Sequence, residues 1–256
     1  MPSSSWPIHY AHEPELGIPI ARNTAVRMAL GLKAGWLAFI DDDEVASPEW
    51  MGKLCSKAAQ QGVDIVNGPV HYQYPANTPG WFHRRATTDP EMKAGSLATN
   101  NVLVRASLFE EGGLGLRFNE GMRYTGGSDG EFFRRAIGLG ATSAWCGDAS
   151  VIETVPESRL TLKWQLSRAF RTASNVVEIE LQQKGVLRAV LQRVPKNILR
   201  LIGGSLHAPI ILFWPTQLPG IQRLGFKGMK SMASALGGLA RFFGFRPQPY
   251  KQIDGE

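Results

Sequence analysis

The sequence predicts an α/β fold, in which a mixed sheet flanked by helices is followed by a basic and apolar helical extension. Residues 36–40 are an apolar run that leads directly into four acidic residues, which indicates a short buried strand. A helical pattern precedes this run. The charge balance then changes along the chain. Residues 1–156 carry 13 Lys and Arg against 17 Asp and Glu, whereas residues 157–256 carry 15 against 5.

The first predicted helix follows Gly17. Its apolar residues recur at i, i+3, i+4 and i+7, on one helix face: Ala25, Met28, Ala29 and Leu32. Arg22 and Asn23 fall at the predicted helix start, where free backbone N–H groups favour an anion. Asn23 in this position would also serve as an ordinary helix cap, and the spacing leaves both interpretations open.

The acidic run Asp41, Asp42, Asp43 and Glu44 follows the apolar segment Trp36–Ile40. We expect that segment to be a parallel strand buried on both faces, because such strands read as short continuous apolar runs. Open α/β sheets bind ligands at the carboxyl ends of their strands. Grouped carboxylates suit Mg²⁺ or Mn²⁺. A solvated acidic loop is the alternative, but the preceding strand and the later motifs favour a ligand site.

A second predicted strand, over residues 98–104, begins with the polar residues Asn100 and Asn101. Two adjacent amides at this place would hydrogen-bond a sugar or hold a turn. The other predicted elements are a helix over residues 47–61 and strands over residues 64–68, 144–146 and 149–152.

A glycine-rich turn, residues 125–131, precedes a short predicted helix. Asp129 and Glu131 therefore stand at a helix N-terminus, where the helix dipole stabilises an ionised carboxylate. Such a place suits a catalytic base. The alternative is that Ser128 or Asp129 only caps the helix.

In the C-terminal region, the residue spacing predicts a long helix over residues 160–180. Arg168 and Arg171 lie near one face of that helix, so two guanidinium groups are available to clamp a diphosphate. A solvated basic face explains the same pattern equally well.

Residues 201–222 contain no Asp, Glu, Lys or Arg but are interrupted by three prolines, which argues against a spanning helix. Basic residues on both sides favour a segment in a membrane interface, and a protein docking surface is the alternative. Cys55 and Cys146 form no disulfide framework, and residues 1–15 lack the apolar core of a signal peptide. We therefore expect a cytoplasmic protein held peripherally at the inner face of the plasma membrane.

Four motifs together resemble glycosyltransferase family 2, whose GT-A fold is a Rossmann-like α/β structure. The resemblance covers about residues 8–180, and the motif sequences are similar to those of succinoglycan-type exopolysaccharide glucosyltransferases. The matching segments are Gly17–Asn23 (G-x-x-x-A-R-N), Phe39–Asp43 (the D-x-D strand), Thr99–Val102 (the acceptor-side strand) and Gly127–Phe132 (G-E-D-x-[DE]-[FL]), with Arg135 close behind.

Three departures from the family pattern matter. Ser128 stands where the family usually has Glu, and Glu153 stands where many relatives have a metal-binding His. By resemblance, the nucleotide-binding strands that precede the A-R-N helix are missing, so we expect a GT-A-like core, residues 1–156, that is incomplete at its N-terminus. Residues 157–256 are expected to form the membrane-associating region.

The resemblance also implies a role for each candidate residue. Asp129 is the expected catalytic base, and Asp43, Asp41 and Glu153 are the expected ligands of Mg²⁺ or Mn²⁺. The expected nucleotide-sugar contacts are Arg22, Asn23, Asp41, Asp42, Arg168 and Arg171. The expected acceptor or sugar contacts are Asn100, Asn101, Gly127 and Glu131.

The implied activity is an inverting, metal-dependent transfer from a nucleoside diphosphate sugar, of the UDP-hexose type, in polysaccharide biosynthesis. The acceptor would be a saccharide or a polyprenyl-diphosphate-linked saccharide. A catalytically degenerate or fragmentary membrane-associated subunit is the alternative. Nucleic acid is not expected as a partner, because base-stacking aromatic residues do not alternate with the basic residues of the C-terminal region.

Overall fold

The computed structural model describes residues 7–82, 97–210, 219–248 and 251. It confirms the predicted fold class, a mixed α/β structure with a helical C-terminal region. The helices are α1 (Ile18–Gly31), α2 (Trp50–Gln61), α3 (Ser128–Gly138), α4 (Leu162–Lys184), α5 (Val186–His207) and α6 (Pro219–Phe242). The strands are β1 (Trp36–Ile40), β2 (Glu44–Ala46), β3 (Ile65–Asn67), β4 (Val70–Gln73), β5 (Asn101–Arg105), β6 (Ser143–Trp145) and β7 (Val151–Thr154).

The strands that follow α1 form two small sheets. One has the order β1-β5-β3-β6 and the other the order β2-β7-β4. The first sheet carries the main apolar core, and β2 of the second sheet begins at Glu44, the last residue of the acidic run. Glu44 is the register partner of Glu153 in β7, so the two side chains lie on the same face of that sheet.

The prediction that Trp36–Ile40 is a parallel strand buried on both faces is wrong. The strand pairs antiparallel with β5 and is an edge strand of its sheet among the described residues. Leu37 is buried, but Ile40 is 39% exposed, and the Arg105 guanidinium lies 4.4 Å from the Trp36 ring centroid. A short apolar run does not encode strand direction, and an aromatic residue covered by a cation looks like a core residue in the sequence.

Helix α1 begins earlier than the sequence predicts. Its first residue is Ile18, with Pro19 in the first turn, where proline costs no hydrogen bond. Arg22 and Asn23 therefore lie about one turn inside the helix, and neither presents a free N-terminal N–H group. The anion and capping interpretations of this position were both based on the wrong helix start.

The main core packs α1 and α3 against the first sheet. Its centre is a group of aromatic rings from three separate segments. Phe118 stacks on Phe132 at 4.4 Å between ring centroids, and Phe109 stacks on Phe132 at 5.3 Å. Full burial of each such side chain contributes about 1.5–3 kcal/mol. This packing fixes the position of α3 and of the turn that precedes it.

The helical region is built around α6, which packs against both α4 and α5. Glycines allow the backbones to approach closely. A Cβ atom at Gly228 would lie 2.9 Å from the Gly204 carbonyl oxygen, and one at Gly237 would lie 2.1 Å from the Phe170 carbonyl oxygen. Small residues at these positions therefore set the spacing of the three helices.

None of the helices in the described part of the chain is long and apolar enough to cross a bilayer. Of the predicted interface segment, residues 201–222, the first part completes α5 and the last part begins α6. Residues 211–218 lie outside the described residues.

Candidate active site

Carboxylates from three parts of the chain meet beyond the end of β1. Burial raises the pKa of Asp41, and the negative charges of Asp43, Asp129 and Asp42 raise it further. Arg22 opposes this shift, with its guanidinium 4.0 Å from Asp41. The fold therefore brings Asp129 close to the acidic run, although 85 positions and more of sequence separate them. These residues were all predicted from the sequence to share one site.

Glu44 is the buried member of this acidic group, with 9% of its surface exposed. Burial raises the pKa of its carboxyl to about 7, and the charges of Asp41 and Glu153 add to the shift. It accepts hydrogen bonds from the Asp41 backbone N–H at 3.1 Å and the Asn100 amide at 3.3 Å. The sequence showed Glu44 as part of the acidic run, but only the β2–β7 pairing shows that it faces Glu153.

Arg159 was not predicted as a site residue. It lies in a short turn before α4, and its guanidinium donates to Glu153 at 2.9 Å and to Asp43 at 3.3 Å. The Gln165 amide in turn donates to the Arg159 carbonyl oxygen at 2.8 Å. A cation thus lies between two of the three carboxylates expected to hold a metal ion, Asp43 and Glu153. A lone arginine after a strand carries no sequence signal that would have identified it.

Asp129 lies in the first turn of α3. The Gly130 backbone N–H donates to its Oδ1 at 2.8 Å, which fixes the direction of the carboxylate. Gly127 precedes the helix with φ 83°, a left-handed conformation that glycine adopts without strain. The turn is held from the helical region, because the Asn175 amide donates to the carbonyl oxygens of Thr125 and Gly126 at 2.9 and 3.0 Å.

Comparisons with known proteins identify the family of this chain. The model of "Glycosyl transferase family 2" matches residues 2–126. The succinoglycan biosynthesis protein ExoM of Rhizobium meliloti (strain 1021) is 36% identical over 182 residues, which are 67% of this chain and 55% of that protein. The chain belongs to glycosyltransferase family 2. It spans little more than half of the length of this curated relative.

Two solved structures of S. aureus TarS, residues 1–349, are distant structural neighbours of this family 2 chain. The UDP complex aligns over 92% of this chain and 73% of TarS, at 13% identity and a TM-score of 0.38. The second TarS structure aligns over 94% of this chain and 75% of TarS, at 14% identity and a TM-score of 0.41.

Three residues predicted from family 2 motifs to contact ligands are instead bonded inside the protein. Asn23 is 2% exposed; its amide donates to the Phe118 carbonyl oxygen at 2.9 Å and to Glu120 at 2.8 Å, and its oxygen accepts from the Phe118 N–H. It therefore ties α1 to the segment before α3. The prediction that Asn23 contacts the nucleotide sugar is wrong for this structure, because its polar atoms are occupied and buried.

The polar atoms of Asn101 and Glu131 are likewise bonded inside the protein, so the prediction that they contact a ligand does not hold in this structure. The Asn101 amide donates to the carbonyl oxygens of Pro69 and Ala149 at 3.0 and 2.8 Å, and its oxygen accepts from the Trp50 indole at 2.8 Å. Glu131, 7% exposed, forms a two-point ion pair with Arg135 at 2.9 Å. In the acceptor-side strand and the glycine-rich turn, the motif residues that remain able to meet a ligand are Asp129, Gly127 and Asn100.

The two arginines predicted to clamp a diphosphate are on the helical region. Arg168 lies 5.2 Å from the Trp164 ring centroid and lines a cavity between α4, α5 and α6. Arg171 is half-buried, and its Nε atom has no hydrogen-bond partner within the described residues. The cavity that Arg168 lines is formed by helical residues and not by the acidic run.

The carboxylates match the donor chemistry of a hard divalent cation. Mg²⁺ is commonly held by one or two carboxylates together with substrate phosphates, and Asp43 and Glu153 already share one cation, the Arg159 guanidinium. No group of three or more His, Cys, Asp or Glu in the described ranges is arranged to hold a metal ion unaided. Asp43 and Glu153 therefore have the donor chemistry for a divalent cation that takes its remaining ligands from a diphosphate.

Proposed function

We propose that this chain transfers a sugar from a nucleoside diphosphate sugar, of the UDP-hexose type, to a saccharide or lipid-linked acceptor in polysaccharide biosynthesis. The observation that carries the proposal is the approach of Asp129 to Asp41 and its neighbours in a chain of family 2. ExoM, by its name, acts in succinoglycan biosynthesis, which supports the class of product. A base and a leaving-group site side by side are what an inverting transfer needs.

In this mechanism Asp129 removes the proton from the acceptor hydroxyl as that oxygen attacks the anomeric carbon. Its carboxylate is directed by the Gly130 N–H, which donates to Oδ1 at 2.8 Å. Arg22 and Asp42 face the nucleotide, while Asn100 and Gly127 shape the sugar or acceptor side. General base catalysis of this kind contributes about 10² to 10⁴ in rate.

The second requirement of the transfer is a positive charge that stabilises the leaving diphosphate. Mg²⁺ or Mn²⁺ would be held by Asp43 and Glu153, with Asp41 nearby, and would act as a Lewis acid on the diphosphate. Arg159 supplies a cation between the same carboxylates.

We also propose that residues 1–156 form the catalytic unit and that residues 157–256 hold it at the inner face of the plasma membrane. Helix α5 exposes apolar side chains, among them Leu191 at 67% and Leu206 at 72%. Exposed Arg188 and Lys196 lie on the same helix. An apolar helix face with basic neighbours and a net positive region suits anionic lipid.

Turnover of UDP-glucose with Mn²⁺ in detergent, using membrane-extracted lipid-linked saccharide as acceptor, tests the activity. Asp129→Asn should lower the rate by at least about 10² while UDP still binds. Asp148→Asn, which removes an exposed carboxylate, is the matched control and should keep full activity.

The competing proposal is a family 2 subunit without transferase activity, favoured by Arg159 lying between Asp43 and Glu153. A chain that neither binds UDP nor turns over UDP-glucose would support this alternative and contradict the enzyme.

A further inference from the structure

The helical region contains an open cavity of about 340 Å³ where α4, α5 and α6 meet. Four basic side chains line it, and each of the three helices supplies at least one: Arg168, Arg193, Arg200 and Lys230. No acidic side chain is part of the cavity lining in the described part of the chain. A concentration of like charge around a space with room for several heavy atoms favours an anionic ligand.

Each helix also places a neutral hydrogen-bonding side chain one turn after its basic residue, and the cavity lining includes all three: Thr172, Asn197 and Ser234. Residues four apart lie on one helix face, so α4, α5 and α6 each direct the same pair of groups towards one space. Cations with hydroxyl and amide donors at their side are the ligands that proteins use for phosphate oxygens.

Asn197 belongs to the same cavity lining, and its amide packs against Gly238 of α6. It is 2% exposed, and its Nδ2 donor has no hydrogen-bond partner among the described residues. A buried amide donor without a partner is destabilising, so native structures rarely keep one without reason. Asn197 stands between Arg193 and Arg200 on the face of α5 that lines the cavity.

One of the four cations is already anchored. Arg193 forms a two-point ion pair with Glu180, whose pKa this hydrogen bonding lowers to about 2. Glu180 itself does not line the cavity. The ion pair therefore holds the Arg193 side chain rigidly at the cavity wall, which lowers the entropy cost of binding an anion there.

We infer that this cavity binds the diphosphate group of an organic diphosphate, separately from the acidic site at the end of β1. Two sources share this chemistry, a prenyl-diphosphate-linked acceptor and a nucleoside diphosphate. The acceptor as the source rests on the proposed function. The cavity-lining face of α5, with Arg193, Asn197 and Arg200, is opposite the exposed apolar face that carries Leu191 and Ile202, so the ligand enters between helices rather than from that face.

The test is calorimetric titration of the full chain with inorganic pyrophosphate, geranyl diphosphate and UDP. Arg200→Gln combined with Lys230→Gln removes two cavity cations. Arg188→Gln combined with Lys196→Gln removes two cations of the helical region that do not line the cavity, and it is the matched control. We expect the cavity pair to weaken pyrophosphate binding at least about tenfold and the control pair to change it less than about threefold.

A second variant separates binding from folding. Ser234→Asp places a carboxylate among the cavity cations, so it should abolish pyrophosphate binding and raise the apparent melting temperature. A loss of binding caused by unfolding would lower that temperature instead. Equal pyrophosphate binding by the cavity and control pairs, or no pyrophosphate binding by the unaltered chain, would overturn the inference.

The other two ligands distinguish the sources. If the Arg200→Gln, Lys230→Gln variant binds geranyl diphosphate more weakly and binds UDP unchanged, the ligand of the cavity is the diphosphate of the acceptor. If the binding of UDP weakens in parallel, the ligand is the nucleoside diphosphate. Asp43→Asn serves to separate this result from the proposed function, because it should impair UDP binding at the acidic site and leave pyrophosphate binding at the cavity unchanged.

Discussion

The acidic site and the basic cavity handle charge in opposite ways. At the end of β1, carboxylates crowd together, and burial and mutual repulsion raise the pKa of Asp41 and bring that of Glu44 to about 7. In the helical region the buried acid Glu180 is fully paired, with Arg193 and Lys184, and basic side chains line the cavity. The two regions therefore suit ligands of opposite charge, for which we propose a metal ion in the first and a diphosphate in the second.

The largest effect is expected from a substitution in the acidic site. Asp43→Asn removes one of the two carboxylates that face Arg159, so both Mn²⁺ binding and transition-state charge stabilisation are lost. Turnover should fall by about 10² or more, and Mn²⁺ affinity, measured by electron paramagnetic resonance in the presence of UDP, should fall with it. Asp129→Asn should lose turnover but keep Mn²⁺ affinity, and loss of both in that variant would contradict the separate roles.

The second prediction concerns stability rather than ligands. Asn101→Ala leaves the Trp50 indole and the carbonyl oxygens of Pro69 and Ala149 without their partner, so the free energy of unfolding should fall by about 3 kcal/mol. Urea unfolding followed by tryptophan fluorescence measures it. Asn100→Ala, which loses one longer hydrogen bond to Glu44, should cost less than about 1 kcal/mol. Equal costs would mean that Asn101 is not the structural residue of the pair.

A third prediction sharpens the role of Arg159. Arg159→Gln removes the cation that competes for Asp43 and Glu153, so Mn²⁺ affinity in the presence of UDP should rise about tenfold, the effect of removing roughly two ion pairs of moderate strength. Arg27→Gln, which breaks an exposed pair with Glu13, is the control. Unchanged Mn²⁺ affinity in Arg159→Gln would show that the guanidinium does not compete with the metal.

The smallest expected effect depends on pH. The pKa of Glu180 is lowered from its ordinary value of 4.5 to about 2, so the charged form stabilises the folded helices above about pH 4.5. That contribution is lost as the pH falls towards 2. Glu180→Gln should therefore lower the helical unfolding temperature at pH 7, with the difference from the unaltered chain shrinking between pH 4.5 and pH 2. Glu49→Gln, from an exposed pair with Lys53, should show no such trend.

The sequence predicted the elements and the convergence at the acidic site better than it predicted individual partners. Asp41 and Asp129 belong to motifs with distinctive composition, so their meeting was predictable. Asn23 and Asn101 belong to the same motifs, but a buried amide and a ligand-binding amide have the same letter in a sequence, and only their partners distinguish them. Asp129 also lies beyond the residues that the family model matches, so its role depends on the geometry.

Long-range pairing explains what the sequence did not predict. Arg159 reaches Asp43 across 116 positions of chain, and Asn175 reaches Thr125 across 50. Helical periodicity predicted α4, and it placed Arg168 near a polar face. It did not predict that α5 and α6 would bring Arg200 and Lys230 to the same space, because periodicity describes one helix at a time.

The glycine contacts of α6 have a mechanical consequence. Gly228 contacts α5 near the middle of α6, and Gly237 contacts α4 nine residues further along, so α6 is held at two levels by backbone contacts rather than by side chains that can rotate. Helices fixed in this way neither slide nor part to admit a bulky guest. The cavity between the helices therefore keeps a fixed width, and it excludes ligands that are too wide whatever their charge.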